Sequence, residues 1–298
     1  MMEDVNDREG RTARSVAAHR LTVYSPEALI LSPRRMVRDM VSDLRAGQGL
    51  ARRLSARDIK SQYRGSLLGY LWAFITPLVS TAMWIFLSGT GIVKVSTTDI
   101  PYPAYVFTGT MLWQLFTEAL TSPLAQLGAG RSMLAKLNFP REALILSGLY
   151  KVLFSAGVKF VILVPAIMFF GVFPDLHLLL FPLAALALIL AGLSVGLVLA
   201  PVGMLYKDVG RTLPIVAQFL MYISPVVFAM PTEGFTARLF AANPMSPLVL
   251  TARAWLTGSA SPMPGAWAVV FAASVVLLLL GWVLYRITMP VLVERMSS

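Results

Sequence analysis

The fold of this chain is decided by residues 65–93, which read GSLLGYLWAFITPLVSTAMWIFLSGTGIV and contain no Asp, Glu, Lys, Arg or His. This run exceeds the roughly 20 residues that an α-helix needs to cross the hydrocarbon core of a bilayer. The 64 residues before it hold 13 of the 25 Lys and Arg of the chain. The sequence therefore predicts an integral membrane protein whose first span follows a basic N-terminal region.

The composition supports a membrane protein and excludes several other classes. Of the 298 residues, 57% are hydrophobic and 13% are charged, whereas soluble domains carry about 25% charged residues. The net charge of +10 comes from basic residues that flank apolar segments, so we expect membrane lipid as a partner and no nucleic acid. The absence of cysteine excludes disulfides and thiolate metal sites, and two histidines are too few for a histidine metal site.

The N-terminal region is predicted to contain a polar cytoplasmic tail, residues 1–31, and amphipathic helices over residues 32–66. A first helix is expected to begin at Ser32 and Pro33 and to stop at the Gly-Gln-Gly of residues 47–49. A second basic helix then leads into the first span. We interpret these helices as lying in the membrane interface. Docking on a partner subunit is the alternative.

Six apolar segments follow, and we predict that each one crosses the membrane. They cover residues 67–87, 105–127, 143–170, 178–205, 213–230 and 266–285. Between the last two, the short apolar stretches 235–239 and 246–255 are interpreted as re-entrant helices, with an ordinary outer loop as the alternative. The predicted fold is thus an all-α membrane protein with a six-helix domain over residues 67–288 and a cytoplasmic tail over 289–298.

The distribution of basic residues predicts the orientation. The segments placed inside hold 20 Lys and Arg, and those placed outside hold three, Lys94, Arg238 and Arg253. By the positive-inside rule, both termini are therefore expected in the cytoplasm.

Three ionisable residues lie within the predicted spans, namely Glu118, Lys151 and Lys159. Counted from the inner ends of their helices, Glu118 and Lys151 are roughly 15 Å and 12 Å deep. We therefore expect these two to form an intramembrane pair that fixes packing. A proton relay is the alternative, but one acid is too few for acids in series.

The inner loop between the second and third spans combines charges with an aromatic residue. Phe139 is expected to be exposed and to fit a pocket on another protein, since an apolar side chain among charges on such a loop needs cover. A simple helix-initiating turn is the alternative. The chain has no phosphate-binding loop of the G-x-x-x-x-G-K-[ST] type, so it is not expected to bind ATP in that way.

Several motifs in order give this chain a family resemblance. Residues 57–72 read RDIKSQYRGSLLGYLW, residues 103–109 read PAYVFTG, and residues 137–142 read LNFPRE. Residues 224–226 read SPV, and residues 243–247 read NPMSP. In this combination the chain resembles the permease subunit of type-2 ABC transporters that export polysaccharides, the family serving O-antigen, capsule and teichoic acid export. The resemblance covers residues 55–285, and residues 1–50 fall outside it.

The resemblance implies a transport subunit and not an enzyme. It implies a homodimer of this chain with two copies of an ATP-binding cassette subunit, which binds the ATP and Mg²⁺, so that this chain holds no cofactor. The cargo would be a lipid-linked polysaccharide, moved from the cytoplasm across the bacterial inner (plasma) membrane. Rival interpretations are an exporter of small lipids or drugs, a membrane-bound glycan-modifying enzyme and an ion-coupled carrier.

The resemblance also assigns candidate roles to individual residues. Coupling to the ATPase falls on the inner loop, with Lys136, Asn138, Phe139, Pro140, Arg141 and Glu142. Attraction of the lipid diphosphate at the inner face falls on Arg57, Lys60 and Arg64. Aromatic platforms for sugars are expected along the path, and the candidates are Tyr63, Tyr70, Trp72, Tyr105, Phe107, Trp113, Phe116 and Tyr222. Anchoring at the interface and membrane packing are the alternatives for these aromatic residues.

Overall fold

A computed structural model describes residues 33–64, 69–92, 98–136 and 139–297. All regular secondary structure in these residues is helical. The residues from Arg38 onward form one compact unit, and Met1–Val37 form a second, of which only the first turn of a helix is described. The predicted tail over residues 1–31 lies outside the described residues.

The N-terminal helix α1 is continuous over Pro33–Tyr63, which corrects the prediction of two helices separated at residues 47–49. Its buried face is formed by Met40, Ala51 and Leu54 together with Gly47. A Cβ on Gly47 would lie 3.2 Å from the Cβ of Ala143. Gly47 therefore allows two helices to approach closely and does not end α1.

A 3₁₀ turn, Gly69–Leu71, leads into α2, Trp72–Gly89, and α3 covers Tyr102–Ala129. α3 is buried along most of its length. After the short α4, Arg131–Lys136, the chain enters α5, Glu142–Phe169. α3 packs against α2 and α5, and runs antiparallel to α5, because Gly130 contacts Leu144 whereas Ser122 contacts Gly148.

The central helix of the unit is α6, Phe181–Leu205, which follows a 3₁₀ turn at Leu176–Leu180. It packs most extensively on α3 and on the last helix. Gly192 and Gly196 make this approach possible, because a Cβ on either would overlap the backbone of α3 at Phe116 or Leu120. Small residues at helix contacts are typical of membrane proteins.

The region between α6 and the last helix contains three helices, of which the first is shorter than the span predicted there. α7 covers Lys207–Tyr222, α8 Gly234–Ala242, α9 Met245–Thr257 and α10 Pro264–Ser297. The span predicted over 213–230 thus begins earlier and ends before Ser224. Sixteen residues in α7 rise only about 24 Å, less than the thickness of a bilayer core of about 30 Å. The two short helices expected at 235–239 and 246–255 are present as α8 and α9.

Among the described residues, three helices are long and apolar enough to span a membrane: Glu142–Phe169, Leu176–Leu205 and Pro264–Glu294. The apolar part of α2, Ile75–Gly89, is shorter. α3 is long but more polar. The all-helical membrane fold is therefore confirmed in outline, while the six crossings and the orientation stay predictions.

Candidate functional site

The loop between α4 and α5 is packed on the body of the chain. Phe139 is half-buried against a cluster that contains Leu54 of α1, Leu134 of α4 and Tyr285 of α10. The prediction of an exposed Phe139 is therefore wrong. Pro140 and Arg141 are also half-buried. Asn138 and the side chain of Lys136 lie outside the described residues.

Glu142, at the end of this loop, is held in a buried charge network. Its Oε1 accepts a hydrogen bond of 2.6 Å from Nη1 of Arg286, and Arg286 Nη2 donates to Oδ2 of Asp43 at 2.7 Å. The hydroxyl of Tyr285 donates to the carbonyl oxygen of Arg141 at 3.0 Å. One arginine on α10 thus joins the start of α5 to α1. Removing one member of such a buried network leaves an uncompensated charge, which costs about 3–5 kcal/mol.

The ion pair between α3 and α5 differs from the predicted one. Lys159 Nζ lies 2.6 Å from Oε1 of Glu118 and 2.7 Å from Oγ of Ser155. Lys151 instead lies 3.7 Å from Oδ2 of Asp58 on α1. The expected pair of Glu118 with Lys151 is therefore wrong.

The reason is the direction in which helical side chains point. In an α-helix each Cα–Cβ bond tilts toward the N-terminus. Because α3 and α5 are antiparallel, Glu118 leans away from the α4–α5 loop and Lys159 leans toward it. The two side chains therefore meet, although the Cα of Lys159 lies further from the loop than the Cα of Glu118. Lys151 leans toward the loop as well and reaches Asp58 of α1.

The aromatic candidates fall into three groups. Tyr105, Phe107, Trp113 and Phe116 are each at most 5% exposed, so their rings pack within the chain and do not line its surface. Trp72 and Tyr222 are 54% and 40% exposed. The side chains of Tyr63 and Tyr70 lie outside the described residues. Sequence alone could not separate these groups, since aromatic residues serve in cores and on surfaces alike.

The three basic candidates near the end of α1 are all exposed. Arg57 donates hydrogen bonds to its neighbour Asp58, the shorter at 2.9 Å. Lys60 and Arg64 are exposed without a hydrogen bond or ion pair from their side chains to another described residue. Their charges are therefore available to a ligand or to lipid headgroups.

Arg253 is a residue that the sequence did not identify beyond its charge. It was placed in an outer loop, but it is 5% exposed on α9. Its guanidinium lies 3.6 Å from the centre of the Tyr105 ring and donates to the carbonyl oxygens of Pro225 and Val226 at 2.8 and 2.9 Å. An arginine within the apolar stretch 246–256 was the available signal.

Two of the motifs, residues 224–226 and 243–247, are joined by a hydrogen bond next to this arginine. Asn243 Nδ2 donates to the Oγ of Ser224 at 2.8 Å and to the carbonyl oxygen of Ile223 at 2.9 Å. Its Oδ1 accepts from the backbone N–H of Met245 at 2.9 Å, at the start of α9. Asn243, which precedes α9, and Arg253, within α9, thus both hold the non-helical turn after α7.

The arrangement supplies packing, buried charge pairs and exposed cations. Among the described residues, no group of three or more His, Cys, Asp and Glu side chains is placed to hold a metal ion. What the geometry does provide is a mechanical connection from the α4–α5 loop to α1 and α10.

Comparisons with known proteins agree with this architecture. Residues 50–256 match the ABC-2 type transporter family. The chain is 26% identical over 219 residues to the O-antigen export system permease protein RfbA of Myxococcus xanthus, which covers 72% of this chain and 83% of that protein. It is 26% identical over 208 residues to RfbA of Klebsiella pneumoniae, with 67% and 77% covered. It is 26% identical over 182 residues to the polysialic acid transport protein KpsM of Escherichia coli, with 59% and 69% covered.

The family match covers well over half of the chain, and it includes the C-terminal part of α1, from residue 50, and all helices from α2 to α8. The long apolar helices fit a protein that crosses the membrane several times. This chain therefore belongs to the ABC-2 type transporter family and is a multi-pass membrane subunit of a transporter.

Proposed function

We propose that this chain is the membrane subunit of an ATP-driven exporter that moves a lipid-linked polysaccharide from the cytoplasm across the plasma membrane, the inner membrane of a bacterium. The observation that carries the proposal is the likeness, over 72% of the chain, to an O-antigen export permease. The polysialic acid transport protein is a second relative that moves a sugar polymer. Two relatives with different polymers favour polysaccharide over a drug or small lipid.

The family implies an ATP-binding partner. In the proposed assembly, two copies of this chain bind two copies of that partner, and ATP and Mg²⁺ are bound by the partner alone. The α4–α5 loop, residues 136–142, is the proposed contact. Since Glu142 is already paired with Arg286, its role is to anchor the loop, and the accessible parts of Arg141 and Phe139 remain for the partner.

The buried network explains how motion at the loop reaches the rest of the chain. A displacement of the start of α5 moves Glu142, and the two short hydrogen bonds of Arg286 carry it to α10 and to Asp43 on α1. Breaking these bonds within the protein is costly because the charges are buried. The helices therefore move together with the loop instead of sliding past it.

The cargo has two chemical parts, and each has candidate contacts. The diphosphate of the lipid carrier is anionic, and the exposed Arg57, Lys60 and Arg64 at the end of α1 offer charge-assisted hydrogen bonds. The sugars present apolar ring faces and hydroxyl groups. Among the candidates whose side chains are described, the exposed Trp72 and Tyr222 remain as proposed platforms for them.

A deletion strain tests the proposal. Loss of this chain is expected to remove the polysaccharide from the cell surface and to cause lipid-linked polymer to accumulate inside the cell, since synthesis continues while export stops. The measurements are surface polymer by lectin or antibody binding and extraction of lipid-linked polymer from the cell. Complementation with the wild-type chain should restore both.

Unchanged surface polymer in the deletion strain would contradict the proposal. Accumulation of a small lipid in place of a polymer would support the rival exporter class. A third arm replaces the ATP-binding partner with a variant that cannot hydrolyse ATP, and it should reproduce the deletion.

A further inference from the structure

Between Gln114 and Ser122, one face of α3 is polar and accessible, whereas the residues on its other side are apolar and buried. The accessible positions recur at i, i+3, i+4, i+7 and i+8, so they form one stripe along the helix. The members of this stripe are Gln114, Thr117, Glu118, Thr121 and Ser122. The residues between them, Leu115, Phe116, Ala119 and Leu120, are at most 5% exposed.

A helix face that touches lipid has the opposite character. The exposed positions of α10 illustrate this, because Val269, Val276 and Leu280 are all apolar and 57–69% exposed. Glu118 lies about 16 Å from the end of α3 at Ala129, at 1.5 Å per residue. A carboxylate at that depth is costly in lipid and in known membrane proteins faces protein or water. The stripe on α3 therefore faces a polar environment.

A second row of polar residues lies opposite the stripe. Lys151, Ser155 and Lys159 follow one another at intervals of four residues on α5. Lys159 bonds to Glu118 at 2.6 Å, and Lys151 lies 3.7 Å from Asp58 on α1. We call the stripe of α3, this row of α5 and Asp58 the polar track. It extends from the end of α1 to mid-depth of the chain.

The hydrogen bonds already made within the track indicate which kind of ligand it can bind. The hydroxyls of Thr117 and Thr121 donate to the carbonyl oxygens of Trp113 and Thr117, both at 2.9 Å, so their oxygens remain as acceptors. The Glu118 side chain is 41% exposed, and an ionised carboxylate accepts more hydrogen bonds than the single one it receives from Lys159. On α3, Thr117, Glu118 and Thr121 thus present acceptors to a ligand.

Within the track two acids face two lysines, so the charges of its own residues cancel; Arg57, which also pairs with Asp58, lies outside it. A neutral ligand rich in donors fits such a surface, whereas an anion meets carboxylates and lone pairs. Resting on the proposed function, we propose that the polar track binds the hydroxyl groups of the polysaccharide during export, with Glu118 as a direct acceptor and Lys159 as the residue that holds it in place. The lipid diphosphate stays with the exposed basic residues of α1.

The natural absence of cysteine allows a direct test. Thr117→Cys and Thr121→Cys place single thiols on the track. Ala119→Cys is the buried control at 0% exposure, and Val276→Cys is the lipid-facing control at 57% exposure. Each variant is expressed with the ATP-binding partner, and its reaction with a membrane-impermeant, charged methanethiosulfonate is timed in membranes with and without glycan synthesis. The reagent needs a hydrated thiolate.

The proposal expects both track variants to react when synthesis is off, and neither control to react. With synthesis on, the reaction should slow about tenfold, the protection given by a path occupied for about nine-tenths of the time. Unreactive track variants, or equal rates in the two conditions, would overturn the proposal. Oxidative cross-linking of two Thr121→Cys copies to each other would also overturn it, because a second copy would then cover the track.

Export by the same strains separates this inference from the proposed function. If the wild-type chain exports polysaccharide but the track variants are not protected, only the polar track is refuted. If the wild-type chain exports no polysaccharide, the proposed function itself fails. Glu118→Asp, which keeps the carboxylate, should retain more export than Glu118→Gln, whereas a purely structural pair would lose stability in both.

Discussion

Arg286 on α10 donates a hydrogen bond of 2.6 Å to the carboxylate of Glu142, the first residue of α5. Both side chains are 7% exposed. Arg286 also holds Asp43 of α1 at 2.7 Å, so a single guanidinium joins three helices next to the α4–α5 loop. The loop is therefore built into the body of the chain, and its movement cannot be independent of α1 and α10.

The first prediction concerns this network. Arg286→Met should lower the free energy of unfolding by about 3–5 kcal/mol, because it leaves two carboxylates without a counter-ion. Unfolding of the detergent-purified protein is the measurement. The matched control is Arg211→Met, because Arg211 is 81% exposed and lies 3.9 Å from Asp208, and such pairs contribute about 0–1 kcal/mol. Equal losses in the two variants would show that the network does not hold the helices together.

The second prediction concerns Arg253. Lysine keeps the charge but lacks the planar fork that reaches two carbonyl oxygens while it stacks on Tyr105. Arg253→Lys should therefore destabilise the protein by about 2–4 kcal/mol. Arg238→Lys, at an exposed position of α8, should leave the unfolding midpoint unchanged. A harmless Arg253→Lys would mean that charge alone matters at this position.

The third prediction concerns the contact of α6 with α3. Gly196→Ala should destabilise the protein, because the new Cβ would overlap the carbonyl oxygen of Leu120. Gly157→Ala on α5 meets nothing within 4 Å and should stabilise by up to about 1 kcal/mol through helix propensity. The measured quantity is the change in the free energy of unfolding, which should have opposite signs in the two variants. Stabilisation by both would place α6 further from α3.

The fourth prediction concerns the partner of Glu118. In a double-mutant cycle, Glu118→Gln and Lys159→Met should couple by roughly 0.5–3 kcal/mol in unfolding free energy, as contacting residues do. Glu118→Gln and Lys151→Met should be additive. Coupling in the second cycle and additivity in the first would show that Glu118 pairs with Lys151 instead of Lys159.

Much of the fold could be predicted from hydropathy and from the positions of helix-breaking residues. The apolar lengths predicted α5, α6 and α10, and proline-rich but apolar segments predicted short helices near α8 and α9. The Gly-Gln-Gly at residues 47–49 led to the wrong prediction of a helix end, since glycine ends a helix in one context and permits close packing in another. Only the position of Ala143 in space decides between the two.

The site was less accessible to sequence reasoning. Glu118 lies about as far from the end of its helix as the sequence suggested, but its partner depends on side-chain direction across antiparallel helices. Phe139 looked exposed because its neighbours in sequence are polar, whereas its neighbours in space come from α1, α4 and α10. Arg253 was read as a loop charge since nothing local shows that the carbonyl oxygens of Pro225 and Val226 surround it.

Reconstitution tests the central claim most directly. Proteoliposomes carrying this chain and its ATP-binding partner are loaded with lipid-linked polysaccharide on the outer leaflet, and polymer protected in the lumen is measured after ATP is added. We predict protected polymer when both subunits and hydrolysable ATP are present, and none when either subunit is omitted. ATP-independent translocation by this chain alone, at the rate of the full assembly, would contradict the account.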